Sequence, residues 1–446
     1  MSVETRDAVV IGAGAAGLGA AHALKRRGRD VLVLEAQGAP GGSMRTVTQD
    51  GFTFERGPNS LRIGAPLLGL LRETRAEALV EKAGPASRAR YLLRPGGLAP
   101  VPLSPLAFAT TGLVSARGKL RLLAEPFVAR GDGTGETVAQ FVARRLGPEA
   151  LEKLVGPFLT GVYAGEEAQL GANAVFPALV RFERESGSIV AGAISSLRAR
   201  GPRGLAGSFS ASGGLGALAG AIARAVGEGA VRCNAHVREI ARDGAGWRIA
   251  LEREEVHART LVLAAEAPAA AKLLAPLDAD ASRGAARIAY VPIASVSLAV
   301  DPSALRTRLA GFGFLVPRDM QLDLLGALFM SQLFAGRAPA GRELVTALIG
   351  GARWPSVLEA SDDEIARRVC AGLDRGLGLT AQPRVLAISR WRHAVAQPGA
   401  DHAARVAALR ARFAASASFQ LAGGWLDGVA LGDAFASGLT AGARAA

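Results

Sequence analysis

Residues 7–35 read DAVVIGAGAAGLGAAHALKRRGRDVLVLE. An apolar run at 7–11 leads into Gly12, Ala13, Gly14, Ala15, Ala16 and Gly17, an Ala- and Leu-rich stretch follows to about Arg27, and a second apolar run fills 31–34. The pattern predicts strand, turn, helix, strand. The GxGxxG spacing matters because each glycine has a separate task. The first makes the tight turn, the second lets backbone approach a pyrophosphate, and the third lets the helix pack on the sheet. The helix N-terminus then offers amides and partial positive charge to the phosphates. Glu35 closes the second run, where a carboxylate can accept the ribose hydroxyls of a bound dinucleotide.

Two glycine-bearing segments beyond Glu35 favour FAD over NAD. Gly41, Gly42, Ser43, Met44 and Arg45 come directly after the acidic strand end, and Glu55, Arg56, Gly57, Pro58, Asn59 and Ser60 come soon after. Adjacent glycines let backbone lie against a ligand, and Arg45 can meet a phosphate. Gly213, Gly214, Leu215 and Gly216 follow a Ser-rich loop with no strand legible before them, so a second nucleotide site for NAD(P)H is not expected. A flavin without a pyridine-nucleotide partner passes its electrons to oxygen or another external acceptor, which points to an oxidase or desaturase.

The 446 residues, half of them apolar and a fifth charged, suit two or three domains with sizeable cores. The formal charge is +13, and only five of the 52 basic residues are lysine. Basic runs interleaved with aromatics are absent, so nucleic acid is not an expected partner; an anionic lipid surface or an acidic substrate fits better. Cys233 and Cys370 form no CxxC pair, and the five histidines show no paired-ligand spacing, so neither a disulfide framework nor a metal site is expected. No signal peptide is legible, and the expected location is cytoplasmic. The uncharged stretch 95–116 contains four prolines and three glycines, which rules out a regular spanning helix. It is expected as a buried loop or as a surface dipping into one leaflet. Glu183 and Glu185, beside Arg181 and Arg184, read as a solvated helix face.

Farther along, residues 62–205 read as helical pieces broken by Pro and Gly. A second α/β passage covers 213–268, with β patterns at 231–240, 247–252 and 260–265. Residues 287–351 are rich in β patterns at 294–300, 311–316 and 344–349. A helix capped by Ser361 is predicted to about Leu377, and a strand at 419–422 runs into Gly423, Gly424 and a last helix. With α/β pieces at both ends and in the middle, the fold class is α/β (α+β): a discontinuous Rossmann-like FAD domain with other domains inserted.

The double glycine followed by Arg45 resembles the FAD-binding opening of the amine oxidase and phytoene desaturase group. Over its whole length the chain resembles the oxygen-dependent protoporphyrinogen oxidases, bacterial type. The resemblance is carried by Gly57, Pro58, Asn59, Ser60; by Gly161, Val162, Tyr163, Ala164, Gly165; and by Phe176, Pro177, Ala178, Leu179. It continues through Gly213, Gly214, Leu215, then Phe312, Gly313, Phe314, Leu315, Val316, Pro317, then Gly350, Gly351, Ala352, Arg353, and Arg390, Trp391. The family's IPQY…GH-type segment reads Val395, Ala396, Gln397, Pro398, Gly399, Ala400, Asp401, His402 here. Its GNxYxGVGxxD-type segment becomes residues 423–433, with Trp425 and Leu426 at the usual polar and Tyr positions close to the flavin.

The resemblance implies FAD segments at 1–86, 207–270 and 396–446, a mainly helical membrane-associating domain at 87–206, and a β-rich substrate domain at 271–395. It implies that FAD is held by Gly12, Ala13, Gly14, Ala15, Ala16, Gly17, Glu35, Ala36, Gly42, Ser43, Arg45, Gly57, Pro58, Asn59, Ser60, Val237, Trp391, Gly424, Val429, Ala430 and Leu431. The substrate residues it implies are Arg90, pairing with a propionate, and Phe312, Gly313, Leu315 and Leu348; no acid–base side chain is assigned. The implied reaction removes six electrons from protoporphyrinogen IX in three flavin rounds, with molecular oxygen as acceptor and hydrogen peroxide formed. Peripheral contact with the inner face of the cell membrane and hand-off to a ferrochelatase are implied as well. Two alternatives stay open: oxidation of coproporphyrinogen III, and a non-catalytic protein that binds FAD and porphyrin.

Overall fold

The computed structural model describes residues 4–131, 135–198 and 204–445. The opening forms as its spacing predicts: β1 (Glu4–Ile11), α1 (Ala15–Arg26) and β2 (Val31–Leu34). β1 and β2 pair in parallel, Ala8 opposite Val31 and Ile11 opposite Leu34. On the other side of β1 lies the strand Glu255–Leu263, also parallel, and Phe419–Leu421 continues from it. Val231–Arg232 flanks β2. One seven-stranded sheet, parallel except for Glu239–Asp243 and Gly246–Ala250 at its far edge, is thus assembled from the beginning, middle and end of the chain. Its strands are apolar on both faces, as a sheet covered on both sides requires.

The β pattern at 231–240 is not one strand. After Arg232 the chain turns irregular until Glu239–Asp243. The amides of Asn234 and Ala235 donate to the carbonyls of Gln37 and Glu35, so this backbone is committed to the segment after β2 and not to a ladder.

The second sheet runs Arg384–Gln397, Ala289–Val300, Glu343–Gly350, Leu324–Phe329, Gly313–Leu315, Tyr91–Arg94, Gly97–Pro100. Helix Asp362–Leu377 covers it, burying Ile365, Val369, Leu373 and Leu377 against Val296, Leu298 and Phe314. Ser361 caps that helix as predicted, its Oγ accepting the Glu364 N–H at 3.2 Å.

Between residues 62 and 205 the helical pieces are present, but so are the strands Val80–Lys82, Tyr91–Arg94 and Gly97–Pro100, each too short to show a period in sequence. The insert expected at 87–206 includes 132–134 and 199–203, which lie outside the described residues. The uncharged stretch is not a buried loop: it forms Gly97–Pro100 and the helix Pro105–Thr110, with Leu106 76% exposed. Gly213 does follow a strand, Leu205–Ala211, correcting the sequence reading. That strand pairs antiparallel with Leu61–Ile63 and Val80–Lys82 in a separate sheet, and its Gly, Ser and Ala residues mask the β signal.

The solvated-face expectation also fails for Glu183. It is 1% exposed and ion-paired with Arg144 at 2.7 Å and Arg145 at 3.4 Å. Arg145 in turn pairs with the fully buried Glu125, whose carboxylate also accepts from Ser188 Oγ and the Ile189 amide. Burial opposes ionisation of Glu183, but hydrogen bonds from Arg144 and the Gly131 amide, helped by both guanidinium charges, hold its carboxyl below the ordinary value. Arg145 on helix Val138–Arg145 could not be fully buried, with Arg144 half-buried beside it, without such partners.

The C-terminal helix Leu431–Arg444 lies against α1 in backbone contact. A Cβ on Gly438 would stand 1.8 Å from the Ala16 carbonyl oxygen, and one on Gly442 would stand 2.4 Å from that of Ala20. Since 438 meets 16 and 442 meets 20, the helices run in the same direction and open their N-termini to the same side. Gly438→Val is therefore expected to lower the unfolding free energy by about 3 kcal/mol. Gly69→Ala, in the open middle of helix Ala65–Glu73, should raise it by about 0.5–1 kcal/mol. Denaturant unfolding of both variants checks this; an unperturbed Gly438→Val would mean that the seam is looser than described.

Candidate cofactor and substrate site

The glycine turn is shaped by what stands next to it. Gly12 sits at φ +99°, and a Cβ there would come 2.9 Å from the Ala264 carbonyl oxygen. A Cβ on Gly17 would lie 1.7 Å from the oxygen of Gly12, so the third glycine is fixed by helix–turn packing. Gly14 differs: the nearest atom to its Cβ position is Gly42 Cα, at 4.0 Å. The Gly41 amide donates to the Ala13 carbonyl at 2.8 Å. The two glycine stretches, almost 30 residues apart in sequence, therefore meet backbone to backbone over the N-terminus of α1. Ala13, Ala15 and Ala16 are buried within this seam.

Glu35 is 6% exposed and accepts the Ala13 amide at 2.7 Å and the Gln37 amide at 2.9 Å. It thus ties the turn to the end of β2 while keeping lone pairs for ribose hydroxyls. The sequence suggested only the second task. Ala36 is exposed beside it, and Val237 is buried in the turn that bonds to Glu35 and Gln37.

Arg45 Nε donates to the Gly42 carbonyl at 2.9 Å, and the Arg45 carbonyl accepts the Arg56 amide at 2.7 Å. This brings residues 57–60 to the same place. A Cβ on Gly57 would stand 2.2 Å from the oxygen of Ser43 and 3.4 Å from the Trp391 ring. Trp391 Nε1 donates to the Arg56 carbonyl at 2.7 Å. Pro58 and Ser60 are half-buried. Asn59 is 8% exposed, and its buried Oδ1 has no partner within the chain. Such an oxygen calls for a donor from a bound group.

Gly424 begins the short turn Gly424–Asp427, and Val429, Ala430 and Leu431 lead into the C-terminal helix, with Ala430 as its N-cap. Trp425 and Leu426 are buried, and the Trp425 indole N–H bonds the Ala265 carbonyl at 3.1 Å. These two residues are packing groups beneath the seam. Two helix N-termini, facing glycine backbones and an unsatisfied buried acceptor are what a flavin dinucleotide needs, so the residues present fit FAD.

The second glycine cluster is used differently. The N-terminus of helix Gly214–Val226 receives the protein's own Glu55, whose Oε1 accepts the Leu215 amide at 2.9 Å. Glu55 also accepts from Thr46 Oγ1 at 2.6 Å and pairs with buried Arg337 at 3.3 Å. Burial pushes the Glu55 carboxyl up from its ordinary value, against those three partners. Neither Arg337 nor this clamp carries a sequence signal.

On the second sheet, Leu315 lies opposite Gly326, and Gly326 lies opposite Leu348. Two leucines on alternate strands thus share a face across a glycine, and Gly161 of helix Gly156–Tyr163 packs on Leu315. Gly313 is glycine for the strand's sake, since a Cβ would lie 2.0 Å from the Ala327 oxygen. Phe312 bonds through its amide to the Ala89 carbonyl at 2.7 Å, and the Arg90 guanidinium stands 4.8 Å over the Phe312 ring. Surrounding protein, and then the charge of Arg62, hold the Arg90 guanidinium below its ordinary pKa.

The loop after helix Gly156–Tyr163 locks these parts together. Ala164, at φ +48°, accepts the Ala352 amide at 2.8 Å, and Gln397 Nε2 donates to the Tyr163 carbonyl at 2.9 Å. Arg353 bonds Thr160 Oγ1 at 3.2 Å and the Leu324 carbonyl at 3.2 Å, and burial lowers its guanidinium to about 10.

Comparisons agree with this geometry. A model of the family "Flavin containing amine oxidoreductase" matches residues 15–446. The chain is 32% identical to the chloroplastic protoporphyrinogen oxidase of Oryza sativa subsp. japonica, over 96% of this chain and 85% of that one. It is 25% identical to coproporphyrinogen III oxidase of Bacillus subtilis (strain 168), over 99% of this chain and 98% of that one. A crystal structure from Exiguobacterium sp. 255-15, whose protein carries a provisional protoporphyrinogen oxidase name, superposes with a TM-score of 0.81 at 25% identity, covering 99% and 98% of the two chains. The protein is thus an FAD-dependent flavin containing amine oxidoreductase. Within that class it belongs to the protoporphyrinogen oxidase family.

Proposed function

We propose that the protein oxidises protoporphyrinogen IX to protoporphyrin IX in porphyrin biosynthesis, with oxygen as acceptor. The observation that carries this reading is one junction. The Trp391 indole and the Arg56 carbonyl join the FAD cradle to the sheet that presents Leu315 and Leu348, with Phe312 and Arg90 at its edge. Similarity to protoporphyrinogen oxidases at up to 32% identity over nearly the whole chain supports it.

On the same reading the chain divides into FAD segments at 1–86, 207–270 and 396–446, a mainly helical domain at 87–206 that lends the strands Tyr91–Arg94 and Gly97–Pro100 to the second sheet, and a substrate domain at 271–395. When bound, FAD supplies two-electron acceptance, so six electrons take three rounds, each ending in peroxide. The chain's part is to hold and to screen. Phe312, Leu315 and Leu348 give a broad apolar macrocycle walls free of water, and Arg90 meets a propionate. Placing a methylene bridge in reach of the cofactor is the positional demand. No side chain is assigned a proton-transfer role.

Purified holoenzyme mixed aerobically with protoporphyrinogen IX should raise porphyrin fluorescence well above the uncatalysed rate, with about three peroxides per porphyrin. Faster turnover of coproporphyrinogen III would favour the second substrate, in line with the bacillar relative. No turnover of either by FAD-loaded protein would leave the binding-protein reading.

The helical insert also carries a candidate membrane surface. Leu103, Leu106, Leu120, Leu123 and Phe127 are 60–90% exposed there. Arg117, Lys119 and Arg121 are interspersed with the exposed Leu120 and Leu123 of helix Ala116–Leu123, and Lys119 Nζ bonds the Ala109 and Thr111 carbonyls, joining this helix to the previous one. Exposed apolar groups on and beside a basic helix suit the interface of an anionic leaflet. No helix of the described residues is long and apolar enough to cross a membrane. Peripheral seating on the inner face of the cell membrane would also keep a flat, poorly soluble product near a ferrochelatase. The protein should float with anionic liposomes at low salt, and Leu106→Asp combined with Phe127→Asp should abolish flotation; a wild-type protein that stays at the bottom removes the membrane reading.

A further inference from the structure

The short turn Gly351–Arg353 grips the helical insert at two points. Gly351, at φ +66°, lies so close to Ala164 that a Cβ would stand 2.5 Å from the Ala164 carbonyl oxygen, and the Ala352 amide donates to that same oxygen at 2.8 Å. Arg353 meets helix Gly156–Tyr163 one turn earlier, at Thr160 Oγ1, 3.2 Å away. Its other two bonds go to the second sheet, to the Val316 carbonyl at 2.5 Å and the Leu324 carbonyl at 3.2 Å. Both carbonyls lie at one end of the ladder between Gly313–Leu315 and Leu324–Phe329. One guanidinium thus joins the helix to the two strands that carry Leu315 and Gly326.

Leu315 is what this junction encloses. Between Thr160 and Ala164 stands Gly161, where a Cβ would lie 2.5 Å from Leu315 Cδ2. From the neighbouring strand, a Cβ on Gly326 would lie 3.2 Å from the same carbon. The leucine methyl fills a slot made by two glycines, and it changes rotamer only if the helix moves off the sheet. All three acceptors of Arg353 are neutral, and its buried Nε has no partner. Burial lowers the guanidinium to about 10. Cohesion alone would not call for a desolvated charge here, because apolar side chains hold a helix on a sheet at lower cost. The planar fork adds direction: acceptors on three segments fix the spacing of helix and strands.

We propose that Arg353 is a positioning residue for the substrate wall, holding helix Gly156–Tyr163 on the sheet so that Leu315 keeps a single rotamer against the macrocycle. This rests on the proposed porphyrinogen reading. Arg353 acts through Gly161 and Leu315. With Leu315 fixed, it and Leu348 form one wall across Gly326, and the ring lies against that wall in one orientation.

The test is a set of double-mutant cycles on the holoenzyme. Arg353→Met, Arg353→Lys and Thr160→Val are each made in the wild type and in Leu315→Ala. Thr160→Val keeps volume and removes one acceptor, so it remains informative if the Arg353 variants fold poorly. Loosening the wall should lower kcat/KM for protoporphyrinogen IX at least about tenfold in Arg353→Met and about threefold in Thr160→Val. Arg353→Lys, which keeps a donor, should retain more activity than Arg353→Met. In the Leu315→Ala background each loss should shrink below about twofold, because the side chain being positioned is gone. FAD affinity, read by titrating apoprotein, should stay unchanged. The proposal is overturned if the losses are equally large in both backgrounds, if FAD affinity falls in step with activity, or if none of the three substitutions lowers kcat/KM. Should the wild type turn over no porphyrinogen, the function reading fails separately. Dissociation constants for protoporphyrin IX, from protein fluorescence quenching, then run through the same cycles: coupling to Leu315 supports the positioning role, and additivity, or a wild type that binds no porphyrin, sinks it.

Discussion

The structure depends on one constraint: several stretches of backbone must meet where no side chain can stand. Gly12 abuts Ala264, Gly17 abuts Gly12, Gly42 faces Gly14, and Gly438 and Gly442 rest on the carbonyls of α1. The contacts at Gly12, Gly17, Gly438 and Gly442 are closer than a Cβ allows, whereas the Cβ position of Gly14 stays open. The conformational entropy that glycine costs is spread over the turns and helices that build the cradle. With three parts of the chain contributing, the cofactor site exists only when the whole sheet has assembled.

From that seam the substrate side is reached through a few polar connections. Trp391 ties the sheet edge to the cofactor loop, and Glu55 with Arg337 ties the same loop to the second sheet through a buried pair. Gln397 and Ala164 close the corner where the helical insert meets both. Breaking one member of a buried pair leaves an uncompensated charge, so these connections resist drift between the parts. The helical insert has its own anchor in Glu125, Arg145, Glu183 and Arg144, which frees its outer leucines and Phe127 to face outward.

Much of this was legible in the sequence where spacing carries physical meaning. The turn of β1 and α1, the acid at 35, the Ser361 cap and the buried run near 260–265 all follow from local rules, and the structure holds them where the pattern put them. The features that failed to show had non-local causes. Glu183 looked solvated because its partners lie about 40 residues away on another helix. The strand before Gly213 was hidden by Gly, Ser and Ala, which pair in a sheet without a β-branched signal. The exposed stretch after Arg94 looked buried because it has no charge, although its surface is apolar in its own right. Trp425 and Leu426, at positions where the resemblance leads one to expect polar and Tyr residues, are buried, with the Trp425 indole bonded to the Ala265 carbonyl.

The central claim is that electrons leave a porphyrinogen for the cofactor held in this cradle. Rapid anaerobic mixing of FAD-loaded protein with protoporphyrinogen IX tests it most directly, because oxygen is removed from the balance. The account predicts that the absorbance of oxidised flavin bleaches while the porphyrinogen loses electrons in equal number, and that colour returns when oxygen is admitted. A flavin that stays oxidised while the porphyrinogen remains bound and unchanged would contradict it.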